Sequence, residues 1–112
     1  MIQEIGLFKS SQGDYQSSYY CLSVLLKGRP EKKRYEVVTY LKEHGVGTSV
    51  YYPKAVPHMA YYREKYGYEE GSFPVAAKIS ATSIALPVGP HLGVEDMNYM
   101  VECLKNAIVE VK

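Results

Sequence analysis

Four side chains near the middle of the sequence could bind a ligand: Tyr51, Tyr52, Lys54 and His58. They belong to the stretch Gly45–His58, which reads G-V-G-T-S-V-Y-Y-P-K-A-V-P-H. Its glycine turn leads into a β-branched and aromatic run, which predicts a strand over Thr48–Tyr52 that stops at Pro53. Such a strand would bring polar and aromatic side chains to the edge of a sheet and then end.

The two adjacent tyrosines point to opposite faces if this segment is a strand, so one should pack on the core and the other should point outward. The pattern alone favours a structural role for both, because aromatic pairs in strands mostly pack. His58 would then be an ordinary residue at the start of a helix. His44 has a structural explanation too, since a helix C-terminus favours histidine, while the pattern leaves the role of His91 open.

The rest of the sequence supplies no complete catalytic set. Gly45 and Gly47 precede a strand and not a helix, so they do not form a phosphate-binding loop. No serine lies in a nucleophile elbow, and the histidines lack the spacing of metal ligands, so no metal site is predicted. The sequence alone does not single out a pair of carboxylates for acid–base chemistry.

Composition limits the classes of protein that remain. The 112 residues suffice for one domain, and a net charge of +1 gives no electrostatic case for a nucleic-acid or membrane partner. Cys21 and Cys103 lie in apolar stretches and are expected to be buried free thiols. The N-terminus lacks the features of a signal peptide and no run reaches membrane-spanning length, so a soluble, cytoplasmic protein is expected.

Tyrosine is the one residue type in clear excess. The chain has twelve tyrosines, two phenylalanines and no tryptophan. Because tyrosine suits surfaces that are half buried and half hydrated, part of the surface is expected to meet a partner.

The first half of the sequence predicts a strand and a helix. Residues 1–14 have little pattern and are interpreted as a loose lead-in, with a turn at 10–14. The run Tyr15–Leu26 predicts a central strand. A helix is predicted over Glu31–His44, capped by Gly45, with the buried stripe Tyr35, Val38 and Leu41. The charged run Glu31–Arg34 is expected to be a solvated helix face, and the strand Thr48–Tyr52 should complete a β-α-β unit.

The second half predicts three helices. They are expected at Pro57–Tyr66, with Met59, Tyr62 and Tyr66 on one face, at Pro74–Ala85, and at Val94–Val111. The last has the apolar stripe Met97, Met100, Val101, Leu104 and Ile108. Together the elements predict an α+β fold, a small antiparallel or mixed sheet of two to three strands with helices on one face, forming one domain over residues 15–112.

Four separated blocks of this sequence resemble the C-terminal small domain of the DegT/DnrJ/StrS sugar aminotransferases. The blocks are G-V-G-T-S-V-Y-Y-P, a loop with a histidine, Y-Y-R-E-K-Y-G-Y-E-E-G-S-F-P-V-A, and S-I-A-L-P-V-G-P before a terminal amphipathic helix. They occur in the family's order and at about its spacing. The resemblance implies the small domain of a fold-type I enzyme, a class that uses pyridoxal phosphate (PLP) to aminate keto sugars carried on nucleotides.

The resemblance also implies where the chemistry lies. In the family, the Schiff-base lysine, the acidic partner of the cofactor ring and most phosphate ligands belong to a large N-terminal domain, so no PLP site is expected in this chain alone. The small domain covers one side of the cleft and contacts the nucleotide-sugar. Tyr52 and Pro53 match the family's motif, Tyr51 replaces its usual histidine, and His58 corresponds to a histidine displaced by one residue.

Three hypotheses follow from these residues. The leading one is the small domain of a PLP-dependent nucleotide-sugar aminotransferase, present as a fragment or a split subunit and inactive alone. It requires a large PLP-binding domain as partner, and the tyrosine-rich face should self-associate when that partner is absent. The alternatives are a stand-alone α+β binding or assembly module without catalysis, and a small regulatory domain that binds a metabolite.

Overall fold

The chain folds around a three-stranded antiparallel sheet, as the computed structural model shows for residues 2–9 and 11–111. The strands are β1 (Ile5–Leu7), β2 (Ser11–Gln12), β3 (Tyr15–Gln16), β4 (Leu22–Leu26) and β5 (Ser83–Leu86). The helices are α1 (Arg34–Glu43), α2 (Ala60–Tyr66), α3 (Pro74–Thr82) and α4 (Val94–Val111), with 3₁₀ turns at Arg29–Lys32 and Val56–His58. The sheet order is β1-β4-β5, and β2 and β3 form a separate hairpin.

The core lies between one face of this sheet and helices α1 and α4. The antiparallel register sets Val24 opposite Ile84 and Leu22 opposite Leu86, so these apolar side chains share a face. The helices contribute the buried residues Val37, Leu41, Met100, Cys103, Leu104, Ala107 and Ile108. This arrangement confirms the predicted α+β fold, and it shows that the sheet is antiparallel and not mixed. None of the described helices is both long and apolar enough to cross a membrane.

The N-terminal segment is more ordered than the sequence predicted. The expectation of a loose lead-in over 1–14 is wrong for Ile5–Leu7, which pairs with β4, and the backbone N–H of Lys27 donates to the carbonyl of Glu4 at 2.7 Å. The predicted turn is confirmed at Gly13, whose φ of 59° lets β2 and β3 pair. The predicted segment 1–14 also includes Met1 and Ser10, which lie outside the described residues.

The predicted strand Tyr15–Leu26 is divided into β3 and β4, and its central place in the sheet is confirmed for β4. The predicted strand Thr48–Tyr52 is wrong. Ser49 alone pairs there, with Ala85 on the outer edge of β5, through N–H···O bonds of 3.1 and 2.7 Å. Strand β5 therefore lies between β4 and this segment, so β4 and the segment are not adjacent strands of a β-α-β unit.

The edge of β5 explains why pairing stops after one residue. In an antiparallel ladder the residues that bond to a given neighbour recur every two positions, so Ser83 and Pro87 would have to bond next after Ala85. Pro87 has no N–H. The N–H of Ser83 donates to Ile79 at the end of α3, and its carbonyl accepts from Arg34. The edge thus offers only Ala85 to the segment after Gly47.

Strand β5 itself is the main element that the sequence did not predict. The helix expected over Pro74–Ala85 ends at Thr82, and the four residues of β5 are all buried. Burial between β4 and the helices favours extended backbone here, whereas the local sequence continues an apolar run without a break. Helix α3 leaves Val75 72% exposed.

The two long helices follow the predictions with small shifts of face. Tyr35 is 81% exposed, contrary to its predicted burial, because the buried stripe of α1 is built on Val37 and Leu41. Helix α4 has the predicted bounds, and Met100, Leu104 and Ile108 are buried as predicted. Val101 instead faces outward.

Both cysteines are unbridged thiols in the described part of the chain. Cys103 is buried as predicted, on the apolar face of α4, whereas Cys21 is only half-buried.

Gly45 ends α1 as predicted. Its φ is 79°, its N–H donates to Lys42 at 3.1 Å, and the N–H of Val46 donates to Leu41 at 2.8 Å. This pair of bonds is a Schellman motif, completed by apolar contact of Val46 with the core. The motif fixes the direction in which the chain leaves α1 toward the candidate site.

Substituting Gly45 tests this cap. A Cβ on Gly45 would meet no atom within 4 Å, so the cost of Gly45→Ala comes from its positive φ. We expect a loss of about 1–2 kcal/mol in the free energy of unfolding, measured by urea denaturation. Gly47→Ala is the matched control, because a Cβ there is equally unhindered and Gly47 has no positive φ. Equal losses in the two variants would contradict a conformational role for Gly45.

Candidate functional site

Lys54 and His58 are brought together in one cleft, between the 3₁₀ turn Val56–His58 and helices α2 and α3. The cleft has a volume of about 270 Å³. Its lining residues are Pro53, Lys54, Ala55, His58, Arg63, Glu70, Ala77, Ser80 and Ala81. We call it the α2–α3 cleft. Two of the four predicted site residues therefore share one concave surface, together with a second cation and a carboxylate that the sequence analysis did not select.

Tyr51 and Tyr52 lie apart from that cleft. Tyr51 lines a second cleft of about 430 Å³ beside Tyr20, Ser49 and Pro87. Tyr52 is 65% exposed and Tyr51 is 50% exposed, with ring centroids 5.8 Å apart. The expectation that one tyrosine packs on the core is wrong, because the segment leaves the sheet after Ser49 and strand alternation no longer applies. Both rings are available to a ligand or a partner.

The protonation site of His58 follows from its neighbours. The hydroxyl of Ser72 donates its proton to the carbonyl of Glu69, so its oxygen can only accept at His58. His58 Nε2 lies 3.4 Å from that oxygen and therefore donates. This contact favours the Nε2–H tautomer, in which Nδ1 is the ring nitrogen that can meet another group.

Arg34 holds the wall of the α2–α3 cleft in place. Its guanidinium donates to the carbonyl of Ser80 and, at 3.3 Å, to the carbonyl of Ser83, where α3 ends and β5 begins. Burial lowers the pKa of the Arg34 guanidinium. The expectation of a solvated charged face is therefore wrong for Arg34. No local pattern signals this role, since the partners lie 46 and 49 residues away in sequence.

An uninterrupted series of ring contacts runs along α2 and the loop that follows it. Its members are Tyr61, Tyr62, Tyr66, Tyr68 and Phe73, with successive centroid distances of 5.0, 6.3, 5.7 and 5.3 Å. We call this series the aromatic row. The ammonium of Lys65 lies over two of its rings, at 5.7 Å from that of Tyr61 and 5.4 Å from that of Tyr66. Except for half-buried Tyr68, the members are exposed.

The other two histidines lie elsewhere. His44 Nδ1 is 2.8 Å from the carbonyl of Tyr40, the two rings stack at 4.0 Å, and the hydroxyl of Tyr99 donates to the His44 carbonyl at 2.7 Å. A hydrogen bond with Cys103 raises the pKa of Tyr99, and burial raises it further. These contacts join the end of α1 to α4, which supports the structural interpretation of His44. His91 is exposed in the connector before α4. No cluster of three metal-ligating side chains occurs in residues 2–9 and 11–111.

The sequence matches the model of the DegT/DnrJ/EryC1/StrS aminotransferase family over residues 2–105. A pleiotropic regulatory protein of Geobacillus stearothermophilus is 40% identical over 70 residues, which make up 62% of this chain and 18% of that protein. The spore coat polysaccharide biosynthesis protein SpsC of Bacillus subtilis is 32% identical over 76 residues, 67% of this chain and 19% of that protein. The chain thus spans about a fifth of the length of these curated relatives.

Solved structures share the fold. A putative sugar aminotransferase of Streptococcus pneumoniae, Spr1654, superposes with a TM-score of 0.85 at 22% identity, over 97% of this chain and 27% of that one. DesV of S. venezuelae, solved with a ketimine intermediate, gives a TM-score of 0.77 at 24% identity, over 92% of this chain and 26% of that one. The S. pneumoniae enzyme has been solved in PLP and PMP forms.

Stability measurements can separate a packing role of Tyr51 and Tyr52 from a ligand-binding one. Because both rings are at least half exposed, we expect Tyr51→Ala and Tyr52→Ala each to change the free energy of unfolding by less than about 0.5 kcal/mol. Leu41→Ala, in the core, should cost about 2–5 kcal/mol in the same urea titration. A loss above about 2 kcal/mol for either tyrosine variant would show that its ring packs structurally.

Proposed function

This chain belongs to the DegT/DnrJ/EryC1/StrS aminotransferase family, and from that membership we propose that it is the small C-terminal domain of a PLP-dependent nucleotide-sugar aminotransferase. The main observation behind the proposal is how much of each chain the structural match covers. The fold matches nearly the whole of this chain and only about a quarter of the solved sugar aminotransferase. A domain of that size is expected to complete an active site whose other part lies on a larger body.

The side chains of this chain do not suit a PLP site. PLP chemistry requires a lysine for the aldehyde and a carboxylate for the pyridinium nitrogen. Asp14 lies exposed in the turn between β2 and β3, and Asp96 accepts the backbone N–H of Gly93 at 2.8 Å at the start of α4. Neither of these aspartates, the two in the sequence, lines the cleft of Lys54, and the carboxylate that does line it, Glu70, shares the cleft with the guanidinium of Arg63. We therefore assign PLP to the large domain, where the family resemblance puts its lysine and its acidic partner.

The proposed contribution of this chain is to cover the cleft and contact the nucleotide-sugar. Tyr51 and Tyr52 present exposed phenols, and Lys54 and His58 line the neighbouring α2–α3 cleft. Such groups bind and orient a polar substrate and exclude water when the domain is in place, whereas the reacting bonds lie on the other domain. The exposed aromatic row offers a further surface for a partner, since rings with one polar end suit interfaces.

An activity assay tests the proposal. We expect the 112-residue chain, supplied with a keto sugar nucleotide, glutamate and PLP, to give no transamination above background. Adding a separately produced large domain that carries the family's lysine should give turnover, measured as conversion of glutamate to 2-oxoglutarate. The large domain alone is the control. Turnover by this chain alone would overturn the proposal, and no turnover or complex with any large domain would favour the stand-alone binding module.

Self-association follows from the same proposal. With no large domain present, the aromatic row remains exposed, and monomers seldom leave large apolar patches open. We expect concentration-dependent dimerisation in sedimentation velocity, weakened in the double variant Tyr62→Ser, Tyr66→Ser. Tyr35→Ser is the control, because Tyr35 is 81% exposed on α1, outside the row. A monomer at all concentrations up to the millimolar range would count against this surface as an interface.

A further inference from the structure

The α2–α3 cleft is lined by two cations that form no ion pair with another described residue. Lys54 and Arg63 both line it, and so does the carboxylate of Glu70. Among the described residues the ion pair that forms lies elsewhere, between Lys78 and Glu31 at 4.0 Å. The side chains of Lys54 and Arg63 are exposed and remain able to bind a ligand. An ammonium and a guanidinium that line one concavity favour an anionic ligand.

The helix wall of the cleft is made compatible with an anion by Arg34. The last carbonyls of a helix carry partial negative charge and would repel an anion at this end of α3. Here the Arg34 guanidinium donates a hydrogen bond to the carbonyl of Ser80, which lines the cleft, and another to the carbonyl of Ser83. A half-buried cation thus lies behind this wall and offsets the partial negative charge of the helix end.

The same wall leaves room for a ligand. Ala77, Ser80 and Ala81 lie at spacings of three and four residues, so their small side chains share one face of α3. All three line the cleft, and their short side chains leave its volume of about 270 Å³ open. On the opposite side, His58 donates through Nε2 to Ser72 and keeps Nδ1 available.

We propose that the α2–α3 cleft binds a phosphate group of a small phosphorylated ligand. In the lining, Lys54 and Arg63 outnumber the carboxylate of Glu70 by one charge, and Arg34 adds a further cation behind the wall at Ser80, which suits the anionic oxygens of a phosphate group. Arg63 supplies the planar donor pair that suits phosphate oxygens, and Lys54 supplies a mobile point charge. This inference rests on the proposed function, which assigns substrate contacts to Lys54 and His58. It adds Arg63 to these residues and names phosphate as the group that they contact.

Titration of the ¹⁵N-labelled chain with inorganic phosphate, at constant ionic strength, tests the site. We expect saturable amide shifts confined to 54–56, 58, 63, 70–72 and 77–81. Lys54→Gln and Arg63→Gln should each raise the dissociation constant about tenfold, since each removes a charge-assisted contact. Lys42→Gln, an exposed charge change on α1, is the matched control and should leave the constant unchanged. The spectra themselves report whether each variant is folded.

Three outcomes would overturn the proposal. They are shifts that rise linearly without saturation, equal weakening in the control variant, and tighter binding of glutamate than of phosphate, which would assign the cleft to carboxylates. The titration needs neither the large domain nor turnover. If the reconstituted transamination fails, the phosphate titration is therefore unaffected. If phosphate does not bind, the small-domain assignment is still tested independently by the activity assay.

Discussion

The structure depends on how the chain passes from α3 into β5. A helix ends with carbonyls that lack internal partners, and here the next residues enter a strand whose four residues are all buried. Leaving buried carbonyls without a hydrogen bond costs free energy, so a side chain must donate to them in place of water. Arg34 does this from the start of α1, 46 residues earlier, by bonding the carbonyls of Ser80 and Ser83. One guanidinium thereby sets α3 against α1 and shapes the wall of the α2–α3 cleft.

The elements that the sequence predicted well are those with strong local signals. Helix α4 has a long 3.6-residue period, so both of its bounds follow from nearby residues. The end of α1 follows from a glycine that can adopt positive φ, whereas the helix begins at Arg34 and not at the predicted Glu31, because a 3₁₀ turn precedes it. Strand β5 has no such signal. Its four residues, S-I-A-L, continue an apolar helix without a turn residue, and a run this short reads equally well as helix or strand. Its extended form is decided by pairing with β4, a contact across about sixty residues.

The residues of the candidate site also divide into those with a local sequence signal and those without one. Lys54 and His58 were selected from one short stretch, and the structure places both in one cleft because Pro53 and the 3₁₀ turn keep them close. Arg63 and Arg34 were not selected, because each lies in a charged run that looks like an ordinary solvated face. Arg63 reaches the cleft because α2 and α3 line opposite sides of it, and Arg34 reaches its wall because α1 bonds the end of α3. The opposite error occurred at Tyr51 and Tyr52, where strand alternation was applied to a segment that keeps only one bridge to the sheet.

The shape of the domain gives a physical reason for a partner. A compact chain of this length should have a radius of gyration of about 13 Å, whereas the described residues give 15.6 Å, with extents of 47, 38 and 23 Å. The thin dimension leaves room for little more than a helix layer on a sheet layer. A flat body of this kind buries its apolar residues between α1, α4 and the sheet, and it leaves the aromatic row at the surface. Its rings already contact one another, so a partner that covered them would gain apolar burial while ordering few side chains.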